Sequence, residues 1–145
     1  CSVSLGIGYR ALEAFKELAS TKIPTGNTST LRSNYHAKMA LAKATADIES
    51  ADTYVRKTVE TCFAIAETDK KLTSAERNRL RLAAANATLK SSQAVDALYE
   101  AGGGSSIYDE NALQRCFRDV HVTTQHIMVA KPIFEMVGKA IMTNL

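Results

Sequence analysis

The chain has 145 residues, 46% of them hydrophobic, enough for one core and short of what a second domain requires. With 6% aromatic residues, no Trp and two prolines in a background of Ala, Leu, Lys and Glu, its composition excludes a β-rich fold and predicts an all-α protein. The formal charge of +3, from 18 basic and 15 acidic side chains in mixed order, forms no continuous basic stripe and argues against a nucleic-acid partner.

The first helix is predicted over Ser2 to Ala19, with Leu5, Tyr9, Leu12 and Phe15 on one apolar face and Gly6 and Gly8 leaving room for a close neighbour. Pro24 and Gly26 mark the turn-rich stretch that follows. A second helix is predicted from Leu31 to Thr68, its apolar face running through Leu31, Tyr35, Met39, Ala42 and Ala46 and then Val55, Val59, Cys62 and Ala66. At the helical rise this rod is about 55 Å long, which only packing along other long helices stabilises, and its surplus apolar face predicts self-association.

Thr73 to Glu76 has the form of a capping box and starts a third helix, with Leu80, Ala84, Ala87, Ser91, Ala94 and Leu98 at alternating steps of four and three. Gly102, Gly103 and Gly104 end it. A fourth helix is predicted from Asn111 to Met128, with Leu113, Phe117, Val120 and Ile127 inward, and Pro132 opens a fifth over Ile133 to Thr143. The expected architecture is an antiparallel up-and-down four-helix bundle with a short extra C-terminal helix, one domain over residues 1–145.

Cys1, Cys62 and Cys116 lie far apart without paired CxxC spacing, which suits reduced thiols in a cytoplasmic protein better than a disulfide framework or a zinc site. No apolar run approaches the roughly 20 residues that span a bilayer, and no basic segment leads into a signal-like core, so no membrane association is expected. The sequence begins without Met inside a helix, which reads as the continuation of a longer chain.

Three stretches carry a family resemblance: Leu5 to Phe15, Gly102 to Tyr108, and Leu113 to Val122 with Arg118 and Asp119 at its centre. In helix order and spacing the chain resembles the C-terminal bundle of the acyl-CoA dehydrogenase superfamily, nearest to its hydroxylating, two-component flavin-dependent monooxygenase branch. That resemblance implies an N-terminal helical domain and a middle β-domain in the complete subunit, with flavin, FMN or FAD, held between middle and C-terminal domains. It further implies a homodimer or homotetramer, reduced flavin supplied by a separate flavin reductase, and a small-molecule substrate, aromatic or otherwise apolar.

By position the family's phosphate-binding cation falls on Lys22, which serves an anion as a point charge. Gly103 and Gly104 match the paired glycines that let backbone approach the cofactor, with Ser105 and Ser106 as hydroxyl donors at the same turn. Arg118 and Asp119 point in different directions on a helix and read as structural groups. Placed on one helix, His121 and His126 would lie about 140° apart, unlike a chelating pair, and no carboxylate completes a metal site.

Many dehydrogenases of the superfamily carry a catalytic glutamate after the Arg-Asp helix; counted forward, that place holds Ile127, with His126 beside it. In the hydroxylating branch a histidine near this point faces the reactive edge of the flavin, and the resemblance assigns that role to His126, a group able to take or return a proton near neutral pH. Two other functions compete: an acyl-CoA dehydrogenase or nitroalkane-oxidase-like domain with its base supplied from upstream, and a non-catalytic helical oligomerisation module.

Overall fold

A computed structural model of the chain describes residues 1–68 and 70–143. Five α-helices, α1 (Ser2–Thr21), α2 (Tyr35–Ala66), α3 (Ser74–Gly102), α4 (Ala112–Thr124) and α5 (Pro132–Thr143), are joined by turns and two short 3₁₀ segments, and no strand occurs among the described residues. The first four helices alternate in direction, as the sequence predicts, but α4 has 13 residues and is little longer than α5 with 12.

Near the start of α1, Ser4 meets Thr88 in the middle of α3, while Lys22, one residue past α1, meets Gly102 at the end of α3. These two helices therefore run parallel as the inner pair. α2 returns antiparallel along them, tied by Tyr9 to Asp52 (3.1 Å) and by Lys90 to Asp47 (2.9 Å). α4 runs antiparallel on the other side, and among the described residues α2 and α4 do not touch.

Small side chains permit the close α1–α3 approach. A Cβ at Gly8 would stand 3.0 Å from the Ile48 side chain and 3.5 Å from the Ser91 hydroxyl. Around this seam Phe15, Ile48, Val95, Leu98, Leu113 and Val120 are fully buried. Each of the larger ones contributes about 1.5–3 kcal/mol by leaving water. Ile133 and Val137 of α5 form a second small cluster with Ala85.

Two boundaries and one buried face differ from the sequence reading, each for a local reason. The second helix does not begin at Leu31: residues Leu31–Ser33 form one 3₁₀ turn, and Asn34, in extended conformation, caps α2 by accepting the Ala37 amide at 3.1 Å. The helix is consequently about 48 Å long rather than 55 Å. The buried face of α2 carries Ala37, Ala44, Ile48, Ala51, Thr58 and Cys62; Tyr35, Met39, Ala42 and Ala46, read from the sequence as the inward face, are exposed.

α3 starts where the sequence says: Thr73 accepts the Glu76 amide and Glu76 accepts the Thr73 amide at 2.6 Å. α4, however, ends at Thr124 and not at Met128. The hydroxyls of Thr123 and Thr124 each donate to a carbonyl three residues back, at 2.7 Å, and the chain turns at Gln125. Ile127, expected inside, is 79% exposed.

Candidate functional site

Because α4 stops early, His126 sits in a turn and not on a helix. Its carbonyl accepts the amides of Val129 (2.9 Å) and Ala130 (3.0 Å), and its ring Nδ1 accepts the amide of Met128 at 3.2 Å. An N–H can only donate, so in the neutral ring Nδ1 is bare and Nε2 carries the hydrogen. The turn thus presents a hydrogen-bond donor.

His126 lines a groove of about 590 Å³ with Val3 and Ser4 of α1, Leu80, Arg81 and Ala84 of α3, Val122 and Thr123 of α4, and Met128 of the turn. Beneath it the hydroxyls of Ser4, Thr88 and Thr123 pin three helices together: Ser4 donates to Thr123 at 3.0 Å and lies 3.2 Å from Thr88. Thr88 and Thr123 also reach the carbonyls of Ala84 and Val120, which fixes the hydroxyl cluster against the helix backbones. Apart from these hydroxyls, Arg81 and His126, the walls are apolar, so the groove suits an aromatic or aliphatic body with a few polar points.

The other residues singled out from the sequence gather at the far end of α1. Lys22 Nζ donates to the Gly102 carbonyl at 2.5 Å, placing a cation on the negative C-terminal end of α3. Gly103 adopts φ 58° and ψ −153°, a conformation that a side chain would strain, and a Cβ there would stand 3.4 Å from the Lys22 ammonium. Lys22 and Gly103 share the edge of a groove of about 500 Å³ with Asn34, His36 and Glu100.

Gly104 is exposed with open space about it. Ser105 is half-buried, its carbonyl accepting the Asn111 amide group at 2.9 Å. Ser106 is fully buried, and its Oγ has no hydrogen-bond partner among the described residues. A Cβ at Gly102 would fall 2.1 Å from that oxygen, so Gly102 is bare because Ser106 fills its place. Ser106 therefore faces the interior, and the hydroxyl donor expected of it at this turn is buried against Gly102.

The two groups of predicted residues do not converge. His126 packs near the start of α1 and Lys22 follows its end, and the 20 residues between put them about 30 Å apart. Arg118 lies 3.8 Å from Asp119 on an exposed surface, in keeping with a structural reading. His121 pairs with Asp96 at 2.9 Å and packs edge-on to Phe117. Cys62 and Cys116 are buried free thiols, and burial pushes the Cys116 thiol above its ordinary pKa, away from reactivity.

Sequence reasoning missed Arg81, Ser4 and Thr123. Leu80 and Ala84 gave the only signal: they belong to the predicted α3 stripe but are half-buried, because the stripe leaves the core and becomes the floor of the groove.

The helical bundle thus carries a histidine-bearing turn over a groove at one end and a cation beside bare backbone at the other. The chain belongs to the acyl-CoA dehydrogenase C-terminal domain family, which matches residues 1–131. It is 26% identical over 136 residues to the indole-3-acetate monooxygenase of Pseudomonas putida, covering 94% of this chain and 35% of that protein. To the oxygenase component of the p-hydroxyphenylacetate 3-hydroxylase of Acinetobacter baumannii it is 32% identical over 126 residues, covering 86% and 30%.

Among solved structures, the HsaA monooxygenase of M. tuberculosis superposes with a TM-score of 0.81 at 25% identity, covering 97% of this chain and 35% of that one. XiaF from Streptomyces sp., in complex with FADH2 and glycerol, shares the fold with a TM-score of 0.89 at 24% identity, covering 99% and 37%. The chain is thus homologous to oxygenase components of flavin-dependent monooxygenases and spans about a third of the length of these relatives.

Proposed function

We propose that this chain is the C-terminal domain of a flavin-dependent monooxygenase, whose N-terminal helical and middle β-domains lie outside it, and that the enzyme hydroxylates a small aromatic or apolar substrate. Reduced flavin, FMN or FAD, delivered by a separate reductase, supplies the electrons that activate O2. The observation that carries this reading is the groove at His126, a largely apolar slot whose turn offers an imidazole donor next to Ile127, the position that matches the catalytic glutamate of many acyl-CoA dehydrogenases.

The residues at the far end fit a phosphate. Lys22 supplies a positive charge beside Gly103, whose lack of a side chain leaves backbone open to a ligand, with Gly104 and Ser105 on the same turn. Ser106 is assigned the packing of that turn, since its hydroxyl points into the protein. A flavin nucleotide is shorter than the distance from Lys22 to His126. In an assembled homodimer or homotetramer, one copy then gives His126 to a flavin and another gives Lys22 and Gly103.

His126 holds or donates a proton at Nε2 on the flavin edge, beside apolar walls that take the body of the substrate. Self-association is supported by the uncovered outer face of α2, where Tyr35, Met39 and Phe63 are exposed. No helix among the described residues is long and apolar enough to cross a membrane, and the unpaired buried thiols fit the reducing cytoplasm.

The test is to supply the full-length protein with reduced FMN or FAD and O2, and to count hydroxylated product and hydrogen peroxide per flavin oxidised. Product formation by the wild type that collapses to peroxide in His126→Ala supports the reading. Turnover of an acyl-CoA, or no change on replacing His126, overturns it.

A further inference from the structure

Among the described residues that line the His126 groove, Arg81 brings the one permanent charge. Arg10, Arg56 and Arg118 each face a carboxylate, whereas Arg81, like Arg32, Arg77, Arg79 and Arg115, enters no ion pair among the described residues, and of these five Arg81 is the one that lines the groove. One of its terminal nitrogens donates to the Asn78 amide oxygen at 3.3 Å. That neutral contact orients the guanidinium without neutralising it, and its remaining N–H groups have no acceptor among the described residues.

A half-buried guanidinium in an apolar groove is a receptor for a planar anion. Val3, Leu80, Val122 and Met128 give the neighbouring space to a hydrocarbon body, and His126 offers Nε2–H from another wall. The charge balance selects the anion. One guanidinium matches a carboxylate of charge −1, while a phosphate dianion would leave uncompensated charge against apolar walls. The phosphate-like position, Lys22 with Gly103, lies at the other end of α1.

We infer that Arg81 is a specificity-determining residue that receives the carboxylate of an aromatic carboxylic acid, seating the ring in the groove beside His126. This assignment rests on the monooxygenase reading for the identity of the site. It adds the chemical class of the substrate and the side chain that recognises it.

The experiment is calorimetric titration of the full-length protein with 4-hydroxyphenylacetate and with its neutral amide, in wild type, Arg81→Gln and Arg81→Lys. Turnover with reduced FMN and the affinity for reduced FMN are measured on the same proteins. Wild type is expected to bind the acid about 10-fold to 100-fold more tightly than the amide, as a charge-assisted hydrogen-bonded pair provides. Arg81→Gln should abolish that preference by weakening the acid alone, Arg81→Lys should keep part of it, and FMN affinity should not change.

A wild type without the preference, or an Arg81→Gln protein that loses acid and amide equally, overturns the assignment. Loss of FMN affinity in Arg81→Gln overturns it too, since Arg81 would then serve the cofactor's phosphate. A protein that shows the acid preference but never hydroxylates sinks the monooxygenase reading and leaves Arg81 as a carboxylate receptor. Hydroxylation without the preference does the reverse.

Discussion

The backbone amide of Met128 donates to Nδ1 of His126 across 3.2 Å, so one turn fixes both where the imidazole stands and which of its nitrogens bears hydrogen. This relationship distinguishes a donor from a base, because Nε2 cannot accept a proton while it already carries one.

In the full-length enzyme, His126→Ala should lower the ratio of product to peroxide by roughly 10²-fold to 10⁴-fold, the range of a positioned acid or base. His126→Gln, whose amide N–H can reach about the same point, should retain clearly more coupling than Ala. Equal coupling in Gln and Ala would mean that His126 works as a base instead. His121, engaged with Asp96, should be the milder site.

Lys22→Met removes a charge at the turn and a cap on the Gly102 carbonyl. Flavin affinity should fall, stability should drop by about 1 kcal/mol, and the product-to-peroxide ratio of bound flavin should hold. Equilibrium titration combined with thermal melting separates the three. A change in coupling with unchanged affinity would remove Lys22 from the phosphate position.

Gly102→Ala should cost about 1–3 kcal/mol, because its Cβ meets the Ser106 hydroxyl and the Leu18 and Leu113 side chains. Ser106→Ala alone should be near neutral, since the buried hydroxyl gives up no hydrogen bond. The double variant should regain part of the loss, and a denaturation cycle on the four proteins reads the coupling.

Glu76 accepts the amide and hydroxyl of Thr73, which hold its carboxyl below the ordinary value of 4.5. A depressed folded pKa means that this carboxylate stabilises the protein above the ordinary value and ceases to do so as pH falls through the folded one. Glu76→Gln should therefore melt lower than wild type near pH 7, with the gap closing as pH falls below the ordinary carboxyl value and through the lowered one. A gap independent of pH would mean that the charge contributes nothing to the cap.

Phe63, 64% exposed, and Met39 mark the outer face of α2. Phe63→Glu combined with Met39→Glu should shift the protein toward monomer in light scattering while circular dichroism stays helical. An unchanged assembly size would place the interface elsewhere.

The sequence made the helices legible wherever a cap or a breaker stood at the right place. Thr73 and Glu76 announced α3, Gly103 closed it, and Pro132 opened α5. It misled at α4, where apolar spacing continued to Ile127 after the threonine hydroxyls had already drawn off the helix carbonyls. It misled again on α2, whose alanines lie on both faces, so periodicity alone could not tell inside from outside. His126 and Lys22 were singled out by family resemblance, and their separation along α1 was invisible until the direction of that helix was known. Arg81 escaped notice because a charged residue beside an apolar stripe ordinarily reads as a solvated face.

Since, among the described residues, α2 contributes none to the His126 groove and does not touch α4, the α1–α3 pair acts as a partition through the domain. Substitutions on the outer surface of α2 reach the groove only through two well-packed helices. Assembly and chemistry therefore meet at the shared flavin and not through the groove wall: a change of neighbours along α2 leaves the lining of the groove intact and acts on the reaction by moving the copy that brings Lys22 and Gly103.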